Sequence, residues 1–146
     1  MTTVPLEIFW PDFDSSDDRT ALQELAAGFG RLGAITDVAR FAEAMQQREE
    51  QQRTWLGRRT ALPHARIAGV SQLSLILARH RTGLVWGTPD QRAHLFFCVA
   101  VPPNAGVDYL HLTQRITRTL RDPRRYQALL AATDESDLSA AWHVAP

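Results

Sequence analysis

Arg48-Glu49-Glu50-Gln51-Gln52-Arg53-Thr54-Trp55-Leu56-Gly57-Arg58-Arg59-Thr60-Ala61-Leu62-Pro63-His64-Ala65-Arg66 is the stretch on which the reading of this sequence turns. It leaves a charged helix end at Arg48 and Glu49, passes through an irregular loop studded with arginine, and arrives at a histidine directly behind a proline. The ring of Pro63 fixes its own φ and restricts Leu62, so the backbone entering His64 is stiff. An imidazole is a competent nucleophile and changes charge near neutral pH. Arg48, Arg53, Arg58, Arg59 and Arg66 accompany it, and a guanidinium presents a planar fork of donors that matches phosphate oxygens. By themselves these residues fit two readings. One is a site that handles a phosphoryl group, with arginines gathering its charge. The other is an ordinary loop with solvated arginines and a buried histidine.

Working outward, 146 residues amount to about one domain with a core of ordinary size. A composition 45% hydrophobic and 22% charged is globular rather than disordered. Sixteen acidic residues balance sixteen basic ones, so no net field draws the chain to nucleic acid or a membrane surface. Every basic residue is arginine, which excludes Schiff-base chemistry and a lysine-containing phosphate loop. Cys98 is the single cysteine, so neither an internal disulfide nor a cysteine cluster for metal is available, and its apolar surroundings predict a small buried hydrophobe. The sequence shows no signal-peptide pattern and no apolar run near 18 residues, so a cytoplasmic protein without membrane insertion is expected.

Local patterning then orders the chain. Residues 4–10 alternate loosely and predict a short strand, at an edge because of Pro5. Ser15 or Ser16 is expected to cap a helix with Leu22, Leu25, Phe29 and Leu32 at helical spacing, stopped by Gly33. Thr36 is expected to cap a second, with Val38, Phe41, Ala42 and Met45 inside. Residues 73–78 read as a strand buried on both faces, 83–87 as a short strand or turn, Pro89-Asp90 as a turn, and 94–101 as the clearest strand. Helical stripes follow at Tyr109, Leu112, Ile116 and Leu120, then at Tyr126, Leu129 and Leu130. A last helix is capped by Asp134, with Leu138, Ala141 and Trp142 inside. The order implies one α/β domain, a mixed sheet covered by helices.

Among the five histidines, no pair has the helical i, i+4 metal spacing and no His-Glu-x-x-His occurs, so no metal site is expected. Nor is there a Gly-x-Ser-x-Gly elbow or a glycine-rich dinucleotide loop. His80 and His94 flank predicted strands and are expected to be exposed or capping. Trp10, Trp86 and Trp142 are expected in packing, and Trp55 as a contact for a docking partner.

The stretch resembles the active-site segment of the phosphotransferase-system (PTS) enzyme IIA proteins of the fructose/mannitol type, a family that includes a nitrogen-regulatory branch. Those proteins carry an Arg-Glu pair, a threonine, a glycine-rich loop and Ala-Ile-Pro-His. Here Arg48-Glu49, Thr54, Gly57 and Ala61-Leu62-Pro63-His64 match in register. Gly83-Leu84-Val85-Trp86-Gly87 is similar to the family's Gly-Ile-x-Phe-Gly, and residues 94–102 and 108–142 are similar to its core strand and helical end. The resemblance implies one IIA domain over residues 1–146 with that family's fold, and no cofactor. It implies a phosphocarrier whose His64 takes a phosphoryl group from phospho-HPr and passes it to an enzyme IIB during sugar uptake. In the nitrogen branch, phosphorylation instead controls partner proteins, and a degenerate relative would bind without phosphorylation. A chain with no attached IIB or IIC segment leans toward regulation, although separate IIA proteins also serve transport. Arg48 would then stabilise the phosphate, while Thr54 would donate a hydroxyl hydrogen bond and Glu49 orient Arg48, or both would equally serve the structure of the helix end. Trp55 and Arg58-Arg59 depart from the family's Gly and Asn-Gly, which predicts an altered loop or a different partner. A second active-site histidine of many members falls at Tyr109, which can donate a hydrogen bond but carries no positive charge. His111, two residues on, reaches the site only if its helix starts late.

Overall fold

The computed structural model describes residues 5–143. Its elements run β1 (Leu6–Phe13), α1 (Asp18–Leu32), α2 (Val38–Gln51), β2 (Trp55–Gly57), β3 (Thr60–Ala61), β4 (His64–Arg66), β5 (Ser74–Trp86), β6 (Thr88–Val101), α3 (Gly106–Arg121), α4 (Pro123–Ala131) and α5 (Glu135–Trp142). The apolar runs 73–78 and 94–101 lie in β5 and β6, which pair antiparallel from Ser74↔Ala100 outward. The sheet is mixed, in the order β1-β5-β6-β3-β2, with β4 also on β6. β1 joins β5 in parallel as the expected edge strand, while Val4 lies outside the described residues.

Helices cover both faces, which is why β5 and β6 read as continuous apolar runs rather than alternating ones. On one face Leu22, Phe29, Phe41 and Met45 of α1 and α2 pack on Ile76, Ala78, Phe96 and Cys98. On the other, Leu112, Ile116, Leu129 and Trp142 of α3–α5 pack on Leu75, Leu77, Phe97 and Val99. Cys98 is fully buried, as its surroundings predicted.

Several local expectations are corrected. The caps of α1 and α2 are the carboxylates of Asp17 and Asp37, which accept from Thr20 and Arg40 N–H; Ser15 instead bonds Glu24. Residues 83–91 form no separate turn at Pro89-Asp90. They continue the long β5–β6 hairpin, which reverses at Gly87 (φ 90°). Gly33, at φ 79°, ends α1 as predicted.

The stretch read as an irregular loop contains the β2–β3 hairpin. Its turn uses three successive left-handed residues, Gly57 (φ 74°), Arg58 (φ 49°) and Arg59 (φ 55°). Backbone of this hand matches the twist of paired strands. Both arginines therefore take the conformation that Asn and Gly favour, and the turn is closed by Thr60 Oγ1 donating to the Arg58 carbonyl at 2.7 Å. A side chain held left-handed costs about 1 kcal/mol or more. The double variant Arg58→Asn/Arg59→Gly is expected to raise Tm by about 3 °C in a thermal melt, glycine's greater unfolded-state freedom offsetting part of the relief; an unchanged or lower Tm would contradict this account.

Candidate active site

His64 opens β4, which runs parallel to β6 with His64 opposite Val99. Pro63 has no N–H to give to the ladder, but its carbonyl accepts from Val99 N at 3.0 Å. The half-buried ring turns its Nδ1 to 2.8 Å from the Leu62 carbonyl. A carbonyl only accepts, so Nδ1 carries the proton and Nε2 keeps the free lone pair. Burial holds the imidazole below its ordinary pKa of 6.5. The Leu62 hydrogen bond pushes the other way, the charge of Arg48 adds to the lowering, and Glu49 opposes it. The neutral, nucleophilic form is therefore the resting form at neutral pH.

Around it stand Tyr109, Arg48 and Arg66. The Tyr109 ring, in the first turn of α3, lies with its centroid 5.4 Å from that of His64 and tilted by 33°. Burial pushes its hydroxyl up to about 12, against the charge of Arg48, so it remains a donor. His64, Arg48, Gln51 and Arg66 line a cleft of about 410 Å³. Arg48 Nη1 donates to the Gln52 carbonyl at 3.0 Å, and Arg66 holds the Pro103 carbonyl with Nε at 2.9 Å and with Nη2. Val107 and Leu110, 69% and 54% exposed, form an apolar shoulder at the start of α3. A larger groove of about 740 Å³ runs between α1 and α2, but its lining holds no histidine, serine or cysteine.

The other residues singled out from sequence are placed differently. Glu49 is 3% exposed and turns inward, so it does not orient Arg48. It accepts from Thr54 N at 3.0 Å, from the Thr54 hydroxyl through a short bond, and from Trp86 Nε1 at 3.1 Å. The Thr54 hydroxyl is thus engaged by Glu49. His111 is exposed on α3, about 200° around the helix from Tyr109. His80 is buried rather than exposed, its Nε2 donating to the Ser15 carbonyl at 2.8 Å, because β5 runs on past the predicted strand end. His94 is half-buried against Gly83. Trp55 is half-buried against the α1–α2 side of the core, and Leu56 is the exposed apolar residue of that hairpin. Sequence reasoning did not find the Leu62 carbonyl, which no side-chain pattern reports, or the indole N–H of Trp86, whose aromatic type signalled only packing.

The sequence model for the phosphoenolpyruvate-dependent sugar phosphotransferase system, EIIA 2, matches residues 6–141, and the chain belongs to that family. It is 30% identical over 141 residues to the nitrogen regulatory protein of Bradyrhizobium diazoefficiens, covering 96% of this chain and 92% of that one. It is 28% identical over 127 residues to the PTS system fructose-specific EIIABC component of Bacillus subtilis, matching 86% of this chain but only 20% of that protein's length. The fold is shared with the solution structure of enzyme IIA-mannitol in complex with phosphorylated enzyme IIB-mannitol from Escherichia coli, at TM-score 0.81 and 17% identity over 97% of this chain and 98% of that one. No helix among the described residues is long and apolar enough to cross a membrane.

The lowered pKa of His64 has a measurable consequence. The unfolded chain takes up a proton at His64 near pH 6.5, and the folded chain does so only at lower pH. Stability contributed by the neutral ring is complete above 6.5 and declines as pH falls toward the folded pKa. Urea unfolding at pH 7.5, 6.5 and 5.5 is expected to show a shallower decline for His64→Gln than for wild type. Equal slopes would show that the burial of His64 has no effect on its titration.

Proposed function

We propose that the chain is one IIA domain acting as a cytoplasmic phosphocarrier, which takes a phosphoryl group from phospho-HPr on His64 and hands it to an enzyme IIB. One observation carries this reading: the Leu62 carbonyl occupies Nδ1 and leaves the Nε2 lone pair on a ring lining a cleft with two arginines. The Nε2 lone pair attacks phosphorus, the N–P bond forms, and the donor's bond to phosphorus breaks with its electron pair leaving on the donor. Arg48 and Arg66 offset the charge of the transferred group, and the Tyr109 hydroxyl donates to it. Charge and donors are thus preset before the group arrives, so little reorganisation accompanies the transfer. Transfer onward reverses the step toward a second protein, and the same apolar shoulder at Val107 and Leu110 can seat donor and acceptor in turn. Thr54 and Glu49 support the loop rather than the phosphate.

A second reading differs only in the recipient. One relative matched along nearly its whole length is a nitrogen regulatory protein, which supports a role in which the phosphorylation state of His64 controls binding to a regulated partner.

Incubation with enzyme I, HPr and labelled phosphoenolpyruvate is expected to place an acid-labile label on wild type and none on His64→Ala. No label on wild type would eliminate both readings and leave a non-phosphorylated binding protein. A chase with enzyme IIB proteins separates carrier from signal. Arg48→Ala is expected to slow labelling by about 100-fold, the scale for removing one preset charge stabiliser; a rate within threefold of wild type would assign that role elsewhere.

A further inference from the structure

We propose that Trp86 is a positioning residue for His64, acting through the buried carboxylate of Glu49 to hold the histidine in a single tautomer. The proposal rests on His64 being the reactive residue. Its physical basis is a continuous line of hydrogen bonds from the centre of the molecule to the ring. Trp86, fully buried in β5, donates its indole N–H to Glu49 Oε1 at 3.1 Å. The same oxygen accepts Thr54 N–H at 3.0 Å, and Oε2 takes the Thr54 hydroxyl. The Thr54 carbonyl accepts from Leu62 N at 2.8 Å. The Leu62 carbonyl accepts the proton on His64 Nδ1, at 2.8 Å.

Each link has a reason to be stiff. A buried carboxylate is tolerable only when its oxygens are satisfied, and here three neutral donors meet it. Two come from one residue, so the carboxylate grips Thr54 by backbone and side chain together. That fixes the direction of the Thr54 carbonyl, which is what Leu62 hangs from. The stretch from Thr54 to Leu62 is the hairpin with the strained arginine turn, so its base needs an anchor that the turn does not supply. Arg53 reinforces the arrangement: it bonds Asp18 at 2.7 Å and its guanidinium lies 5.5 Å from the Trp86 ring centroid.

The tautomer matters because only the ring with its proton on Nδ1 has a lone pair at Nε2. If the Leu62 carbonyl moves, part of the population carries the proton on Nε2 and is not a nucleophile there.

The test is the long-range ¹⁵N–¹H spectrum of the His64 ring at neutral pH, read alongside the rate of labelling from phospho-HPr. Wild type is expected to show one tautomer, protonated at Nδ1. Trp86→Phe is expected to remain folded, to show averaged ring nitrogens, and to label about threefold to tenfold more slowly, the scale of one ordinary hydrogen bond. Thr54→Val, which keeps shape but loses the hydroxyl, is expected to do the same, and Thr54→Ser to restore both readouts; this pair decides the matter if Trp86→Phe does not fold. A lower Tm with unchanged ring nitrogens and unchanged rate would overturn the proposal and leave Trp86 a packing residue. Absence of labelling on wild type would overturn the phosphocarrier reading, while the ring spectra would still report whether Trp86 and Thr54 set the tautomer.

Discussion

Strand β6 is paired along both of its edges, and the position of everything near His64 follows from that. One edge is filled by β5 over nearly its whole length. The other is shared by two short strands in succession, β3 opposite Leu95 and Phe96 and β4 opposite Val99 to Val101. Between them sit Leu62 and Pro63. A proline cannot donate to a ladder, so the strand breaks there into two pieces. The break frees the Leu62 carbonyl from sheet duty, and that carbonyl holds the imidazole. The proline thus does more than stiffen the approach to the histidine. It creates the gap in which a main-chain acceptor can face a side chain.

Charge is sorted by depth around this gap. The carboxylate of Glu49 points into the molecule and is met by neutral donors, whereas Arg48 and Arg66 point to the cleft and hold their places through main-chain carbonyls. Neither arginine of the cleft is tied to a carboxylate among the described residues. A chain with no net charge thereby presents a locally cationic cleft around a neutral nucleophile. Tyr109 fits the same pattern, because it adds a donor beside the histidine without adding a second titrating base.

The sheet and both helical layers were legible in the sequence, because apolar runs in β5 and β6 and helical stripes such as Phe41–Met45 and Leu112–Ile116 have only one way to be buried. Asp134 caps α5 as expected, but the caps of α1 and α2 were misplaced by a residue or two, since Ser16 and Asp17, or Thr36 and Asp37, are equally good oxygen acceptors and only backbone geometry selects between them. Arg48, His64 and Tyr109 were found from the motif and its resemblance, and the structure gathers them. Arg66 was visible only as one arginine among several. Glu49 and Thr54 fitted either the site or the helix end, and the structure gives them to each other. Adjacency in sequence shows that Glu49 follows Arg48; it does not show that on a helix the two point about 100° apart, one to solvent and one to the core. His80 escaped for a similar reason, because nothing in its neighbours announced that β5 would continue past it.

The start of α3 has a further meaning. Its cap position is Ala105, whose side chain offers no oxygen to the first N–H groups of the helix, while α1, α2, α4 and α5 are all capped by aspartate. This bare end lies beside Arg66 and carries Tyr109 against His64. Serine or aspartate at position 105 would be an easy gain in helix stability. It would also put an acceptor, or a negative charge, where an incoming anion has most to gain from unclaimed donors. Among the described helices, the one start without a side-chain cap is therefore the one at which improvement by the ordinary rules of stability and improvement by the demands of the site pull in opposite directions.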